Sequence, residues 1–253
     1  MLGRHDECMS SREAAGAAPG LSVVIPVYGN ERTLLRALDS IDAACQAEPS
    51  NYPVEVVVVF DGLIDSSDAL VAGWVAGSPR VTVCPALEEH GGIASARNAG
   101  IALVSHDVIT FLDADDELTA ERLALAPMLA PDGSEVIIGV QRVRVENGAA
   151  IPGPYVPASA TDERRPQFYP TSMLVRRSTL RQVGGFNESF SVGDDVDIVM
   201  RMIEAGVRLR MVTDCVAVRY FHGDNASYDQ SSTEGDFLMA VRSHLQRMRE
   251  STR

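Results

Sequence analysis

Acids close two of the apolar runs in this chain. Asp61 follows VEVVVVF (54–60), while Asp113, Asp115 and Asp116 end DVITFLDADD (107–116). If both runs are strands of one parallel sheet, their carboxyl ends share a rim, and open α/β sheets bind ligands outside that rim. Like charges gathered there repel unless something cationic lies between them. A hard divalent ion with oxygen ligands, itself gripping a diphosphate, answers that need. A plainer reading stays beside it: turns favour Asp, so strands often end in one.

The elements that would position these acids can be read from periodicity. LSVVIPVY (21–28) is a short buried strand, and Asn30 with Glu31 opens a helix keeping Leu34, Leu35, Leu38 and Ile41 at helical spacing. VEVVVVF is apolar on both faces, as a central parallel strand must be. A helix is expected over about 66–75, a third strand over VTVCPAL (81–87), and a helix over about 93–104 after Gly91-Gly92. DVITFLDADD is the fourth strand. Four βα units in about 110 residues predict a doubly wound, mostly parallel sheet flanked by helices. The second half is less regular. EVIIGVQRVRV (135–145), TSMLVRR (171–177) and RLRMVTDCVAVRYF (208–221) read as strands, with a helix over about 196–205. Residues 147–170 carry five prolines and read as a mobile loop. A last helix over about 234–249 places Phe237, Leu238, Val241, Leu245 and Met248 on one face.

Composition narrows the class. The chain has 253 residues, 45% of them hydrophobic, with 22 Lys plus Arg against 35 Asp plus Glu and a net charge of −13. Lysine is absent and every basic side chain is Arg, a compositional bias without functional weight. So acidic a surface repels phosphate backbones, which argues against a nucleic-acid partner. No apolar run approaches the roughly 20 residues of a membrane span. Residues 1–20 read as a disordered leader without a secretory h-region. Cys8, Cys45, Cys84 and Cys215 lack CxxC spacing and read as free thiols, so a cytoplasmic location is expected.

Several short motifs follow one another in a fixed order: Pro26-Val27-Tyr28, Asp61-Gly62, Ala96-Arg97-Asn98-Ala99-Gly100, Asp113-Ala114-Asp115, Val183-Gly184-Gly185-Phe186-Asn187-Glu188 and Asp194-Asp195. Together they resemble the family 2 inverting glycosyltransferases of the GT-A fold, over about residues 21–222. The resemblance implies a nucleotide-binding half (21–116), an acceptor half (117–222) and a C-terminal helical extension (223–253). It implies that Pro26, Val27 and Tyr28 line a nucleotide base, with Tyr28 stacked on it or merely packing at a strand end. Asp61 would bond the base or ribose. Arg97 would contact the nucleotide, its alternative being a surface arginine. Asp113-Ala114-Asp115 resembles the DxD signature, with Asp113 towards the ribose and Asp115 towards a divalent metal, Mn2+ or Mg2+, on the diphosphate. Asp195 matches the base that takes the acceptor hydroxyl's proton, with Asp194 where Glu is usual; both could instead cap the following helix. His222 resembles a histidine that contacts the metal or diphosphate in some members, or is a solvated loop residue.

The pattern is imperfect. Phe60 stands where a second acid precedes the glycine, and Leu63-Ile64 replaces the Ser-Thr that commonly follows it. The QxxRW motif of processive synthases is missing, so transfer of one sugar to a discrete acceptor is expected; the acidic surface points to a soluble metabolite, sugar or peptide, and the resemblance implies a UDP-sugar donor, with GDP- and dTDP-sugars left open. A catalytically silent relative is the main alternative. A nucleotidyltransferase is less compatible, because PVYGNERT lacks its Gly-rich basic loop. Tyr155, Phe168 and Tyr169 read as core or as an aromatic acceptor platform, with core the favoured expectation. The Arg-bearing last helix is expected to pack on the domain or on a second subunit of a homodimer rather than on a membrane.

Overall fold

The computed structural model describes residues 18–62, 65–75, 81–84, 90–151, 165–166, 168–190, 193–222, 242–244, 246–247 and 249. Its first half is β1 (Ala18–Val27), α1 (Leu34–Ala47), β2 (Val54–Phe60), α2 (Ser67–Val75), β3 (Val81–Cys84), α3 (Ile93–Leu103) and β4 (His106–Phe111). There follow β5 (Glu117–Leu118), α4 (Ala120–Leu125), β6 (Glu135–Val145), β7 (Arg165–Pro166), β8 (Met173–Arg176), α5 (Arg177–Gln182), α6 (Asp194–Glu204) and β9 (Arg208–Phe221). The strands order as β3-β2-β1-β4-β8-β6-β9-β5, with β7 beside β6.

β3, β2, β1 and β4 are parallel, as the βα alternation requires. β8 then runs antiparallel to both β4 and β6, so the sheet is mixed beyond its four parallel strands. The apolar runs are explained by two covered faces. Val23, Ile25 and Val27 of β1 and Val56, Val58 and Phe60 of β2 pack with Leu34, Leu38 and Ile41 of α1. The alternate residues Val24, Val57 and Val59 pack with Ala94, Ala96 and Ile101 of α3 and Ile198 and Met202 of α6. Phe60 is thus a buried core residue, 3% exposed, at the position where the family's acid is missing. Gly100 lets α3 approach the sheet: a Cβ there would lie 2.3 Å from Val24 Cγ1.

Several expectations shift. The fourth strand stops at Phe111, so the acids stand on the turn after it rather than in it. Leu35 faces solvent while Leu34, Leu38 and Ile41 are buried, because the apolar stripe is narrower than the run of leucines. Phe168 is exposed and therefore not core, and Tyr155 lies outside the described residues. The short β5, α4 and α5 had no signal strong enough to read. Of the expected loop over 147–170, residues 152–164 and 167 lie outside the described residues, as do 1–17 of the leader, 85–87 of the third strand and most of the last helix. Among the described residues, neither Cys45 nor Cys215 is in a disulfide. Among the described residues, no helix is long and apolar enough to cross a membrane.

Candidate functional site

Strand register brings the sequence motifs to one rim. Val27 pairs with Phe60, and the Asp61 N–H donates to the Val27 carbonyl at 2.9 Å, so Tyr28 and Asp61 leave adjacent strands side by side. β4 ends lower, with Phe111 opposite Val24, which opens space above it for the turn 113–116. Pro26 and Val27 are buried in the strand and Tyr28 is exposed. The Tyr28 ring stacks on His90, centroids 4.1 Å apart and planes within 17°. Asp61 is buried and fully engaged: Oδ1 accepts the Gly91 N–H at 2.7 Å, and Oδ2 lies 2.7 Å from His90 Nδ1.

The Asp113–Asp116 turn is the acidic centre. Asp113, Asp115 and Asp116 offer carboxylate oxygens within 4.8 Å of one another. Burial and the neighbouring Asp113 raise the Asp115 pKa from its ordinary place in the carboxylate range, against a hydrogen bond from His222. Burial and Asp115 push Asp116 well above that range. His222 Nε2 lies 3.0 Å from Asp115 Oδ2. Asp116 turns away from the rim and accepts the Tyr220 N–H at 2.9 Å, which ties the turn to β9. Hard oxygen donors carrying excess negative charge, with an imidazole beside them, fit a divalent cation. Asp113, Asp115 and His222 are the residues that would hold it.

Arg97 joins this turn to the second acidic pair. From α3 its guanidinium reaches Asp113 Oδ1 at 3.2 Å and Asp194 Oδ2 at 2.8 Å, although the chain separates those acids widely. It is 4% exposed and hence not a surface arginine. Burial opposes its charge, but Asp194, Asp113 and Asp195 more than offset this and hold its pKa up. Asp194 and Asp195 open α6; the N-cap is Gly193, whose φ is +88°. Asp194 is spent on Arg97 rather than on the helix end. Asp195 is half-buried, and burial together with Asp194 raises its pKa to about 6. A carboxylate poised there is ionised at neutral pH yet basic enough to accept a proton.

Asn98, the neighbour of Arg97, locks the two halves together. Its Oδ1 accepts the Phe186 N–H at 2.8 Å, and its Nδ2 donates to the Phe186 carbonyl at 2.9 Å and to Glu188 at 2.8 Å. Gly185, at φ +71°, allows this contact, since a Cβ would lie 2.7 Å from Asn98 Oδ1. The Arg-Asn and Gly-Gly-Phe-Asn-Glu motifs are therefore two sides of one joint that sets α6 against α3.

Three residues of the site escaped sequence reasoning. His90 follows the third strand on the same rim, and that position was the available signal. Arg36 of α1 lies 3.7 Å over the Tyr220 ring, pairs with Glu146 at 2.5 Å and donates to the Asp115 carbonyl at 2.7 Å, bracing the acidic turn. Arg122 of α4 is wholly buried below it and donates to the carbonyls of Phe111 (2.8 Å) and Thr171. Burial lowers its pKa to about 10. Nothing in their spacing marks either arginine.

A mixed sheet with its ligand rim at the ends of β1, β2 and β4 defines the GT-A type of fold. Two solved structures share it: S. aureus TarS in complex with UDP-GlcNAc, with a TM-score of 0.69 at 22% identity over 89% of this chain and 65% of that one, and the mannosyltransferase PcManGT from Pyrobaculum calidifontis in complex with GDP-Man and Mn2+, with a TM-score of 0.66 at 17% identity over 94% of this chain and 70% of that one. Residues 22–192 match glycosyl transferase family 2, and the chain belongs to that family. Among curated relatives it is 29% identical to the pre-mycofactocin glycosyltransferase of Mycobacterium tuberculosis over 82% of this chain and 47% of that protein. It is 28% identical to the succinoglycan biosynthesis protein ExoU of Rhizobium meliloti over 93% of this chain and 77% of that protein. The chain thus spans about half the length of the mycobacterial relative.

Proposed function

We propose that this chain is a metal-assisted, non-processive inverting glycosyltransferase that moves one sugar from a nucleotide-sugar, a UDP-sugar, to a hydroxyl of a soluble acceptor. The observation that carries this reading is the Arg97 bridge: one buried guanidinium fixes the metal-binding type of turn (Asp113-Ala114-Asp115) beside the helix that presents Asp195. Tyr28 offers an aromatic face for the base, and Asp61 an acceptor for its N–H. Asp113 and Asp115 face the diphosphate with His222. A divalent ion held there supplies Lewis-acid stabilisation of the charge on the departing nucleoside diphosphate.

Asp195 then acts on the opposite side of the sugar. It takes the acceptor hydroxyl's proton as that oxygen bonds to the anomeric carbon, and the bond from that carbon to the diphosphate breaks, the leaving group keeping the electron pair. A single displacement of this kind inverts the anomeric configuration. Uridine is supported by the UDP-GlcNAc complex of TarS, whereas the GDP-Man complex of PcManGT makes guanosine the alternative to test.

Thermal shifts with UDP, GDP and dTDP, each with and without MnCl2, check the donor site. A diphosphate present at 100 times its Kd should stabilise the wild type by about 2.7 kcal/mol. That gain should vanish without metal and in Asp115→Ala. Stabilisation that survives both changes would remove the metal from the reading. Binding without any turnover that depends on Asp195 would leave a silent nucleotide-sugar binder.

A further inference from the structure

We propose that the His90 imidazole is a built-in occupant of the base subsite, seated on Tyr28 and Asp61 in the free protein and displaced when the donor binds. The proposal rests on the donor-site reading above and adds to it a residue which that reading does not use. Three observations carry it. The imidazole lies flat on Tyr28 at 4.1 Å and 17°, the arrangement a nucleobase would take on that ring. Its Nδ1 faces Asp61 Oδ2 at 2.7 Å, so a ring N–H answers the carboxylate just as a base N–H would. The other oxygen, Oδ1, is held by the Gly91 N–H at 2.7 Å, and the Asp61 side chain is only 3% exposed.

Asp61 therefore has no oxygen open to a base while His90 is in place. His90 itself is easily moved. Its side chain is 51% exposed and sits on the solvent side of the pair, whereas the Gly91 N–H bond can stay made while the imidazole swings out. Ring-for-ring exchange keeps one face of Tyr28 stacked and Asp61 bonded in both states, so no buried unpaired carboxylate is left when His90 is seated. The cost falls on affinity. Apparent binding is weakened by the fraction of molecules whose subsite is open, a fraction that a stack and a charge-assisted hydrogen bond keep small.

Calorimetric titration of the full chain separates the possibilities, using the tightest binder among UDP, GDP and dTDP and, in parallel, inorganic pyrophosphate, all with MnCl2. His90→Ala should tighten the nucleoside diphosphate about tenfold by removing the competing occupant. Pyrophosphate has no base, so its affinity should not change. In the His90→Ala background, Tyr28→Ala should weaken the nucleotide about tenfold through the lost stack, and by less than that where His90 is present and loses the same stack. An unchanged or weaker nucleotide affinity in His90→Ala overturns the proposal, and so does equal tightening of pyrophosphate. If Tyr28→Ala weakens the nucleotide while His90→Ala fails to tighten it, only the displacement falls and the donor site stands. If no nucleoside diphosphate binds either the wild type or His90→Ala, the donor-site reading falls, and this proposal with it.

Discussion

Asp195 opens α6 beside Asp194, and those two circumstances set both its chemistry and its cost. Burial and the neighbouring acid lift its pKa to about 6. In the unfolded chain an aspartate titrates near 3.9, so the folded state holds the proton more tightly. The stability this provides is complete below about pH 4 and is lost as the pH rises through about 6. Asp195→Asn should therefore unfold later than the wild type at pH 7.5, by about 2 kcal/mol in urea, with the difference closing by pH 4. The same variant should lose about 10²- to 10⁴-fold in turnover, and wild-type kcat/KM should fall as the pH drops below about 6. A flat pH profile would exclude Asp195 as the base. Arg97 has the opposite balance, because its charge is the partner of buried acids. Arg97→Ala leaves Asp194 unpaired in the interior and should cost about 3 kcal/mol in the same urea experiment. A loss near zero would mean that the bridge does not hold the two motifs together.

At the scale of elements, the site depends on close approach of α3 to the sheet. Gly100 faces Val24 at a distance no Cβ can occupy, so α3 and with it Arg97 and Asn98 sit as deep as the backbone allows. Gly100→Ala should push α3 outward, destabilising the protein by about 2 kcal/mol despite the better helix propensity of alanine. Donor affinity should weaken in parallel, because the Arg97 guanidinium moves with the helix. A more stable Gly100→Ala protein would show that the contact relaxes without moving α3. The end of the last helix also reaches an element of the site. Arg247 pairs with Glu204 at 2.8 Å and with Asp197 at 3.3 Å, so this residue is held against α6. That contact helps to anchor the helix bearing Asp195.

The whole molecule carries a net charge of −13, and the candidate site gathers Asp113, Asp115, Asp194 and Asp195 around Arg97. Self-repulsion of this size destabilises the compact state, and salt screens it over about 10 Å at 0.1 M. Raising NaCl from about 20 to about 200 mM should therefore raise the Tm in metal-free buffer. A lower Tm at the higher salt would mean that ion pairs such as Arg97 with Asp194 outweigh the repulsion. One sheet joins the first and second halves of the chain: β8 pairs with β4 on one side and with β6 on the other, so the candidate site is built across a continuous sheet.

The sequence by itself determined the parallel half, since runs such as VEVVVVF admit only a strand covered on both sides and each was followed by a helical period. It also determined that Asp61 and Asp113–Asp116 share a rim, because strand polarity dictates it. Short pieces such as β5, α4 and α5 were invisible, as two to six residues carry too little periodicity and are fixed by packing. What only the tertiary structure decided is which charges meet. Arg97 and Asp194 are distant in the chain, and no spacing rule joins them. His90 reaches Tyr28 and Asp61 because three strand ends converge, and Arg36 and Arg122 support the acidic turn from helices whose sequences show no reason for it. Local sequence sets the period and polarity of each element, whereas the pairing of buried charges depends on distances that exist only once the sheet has formed.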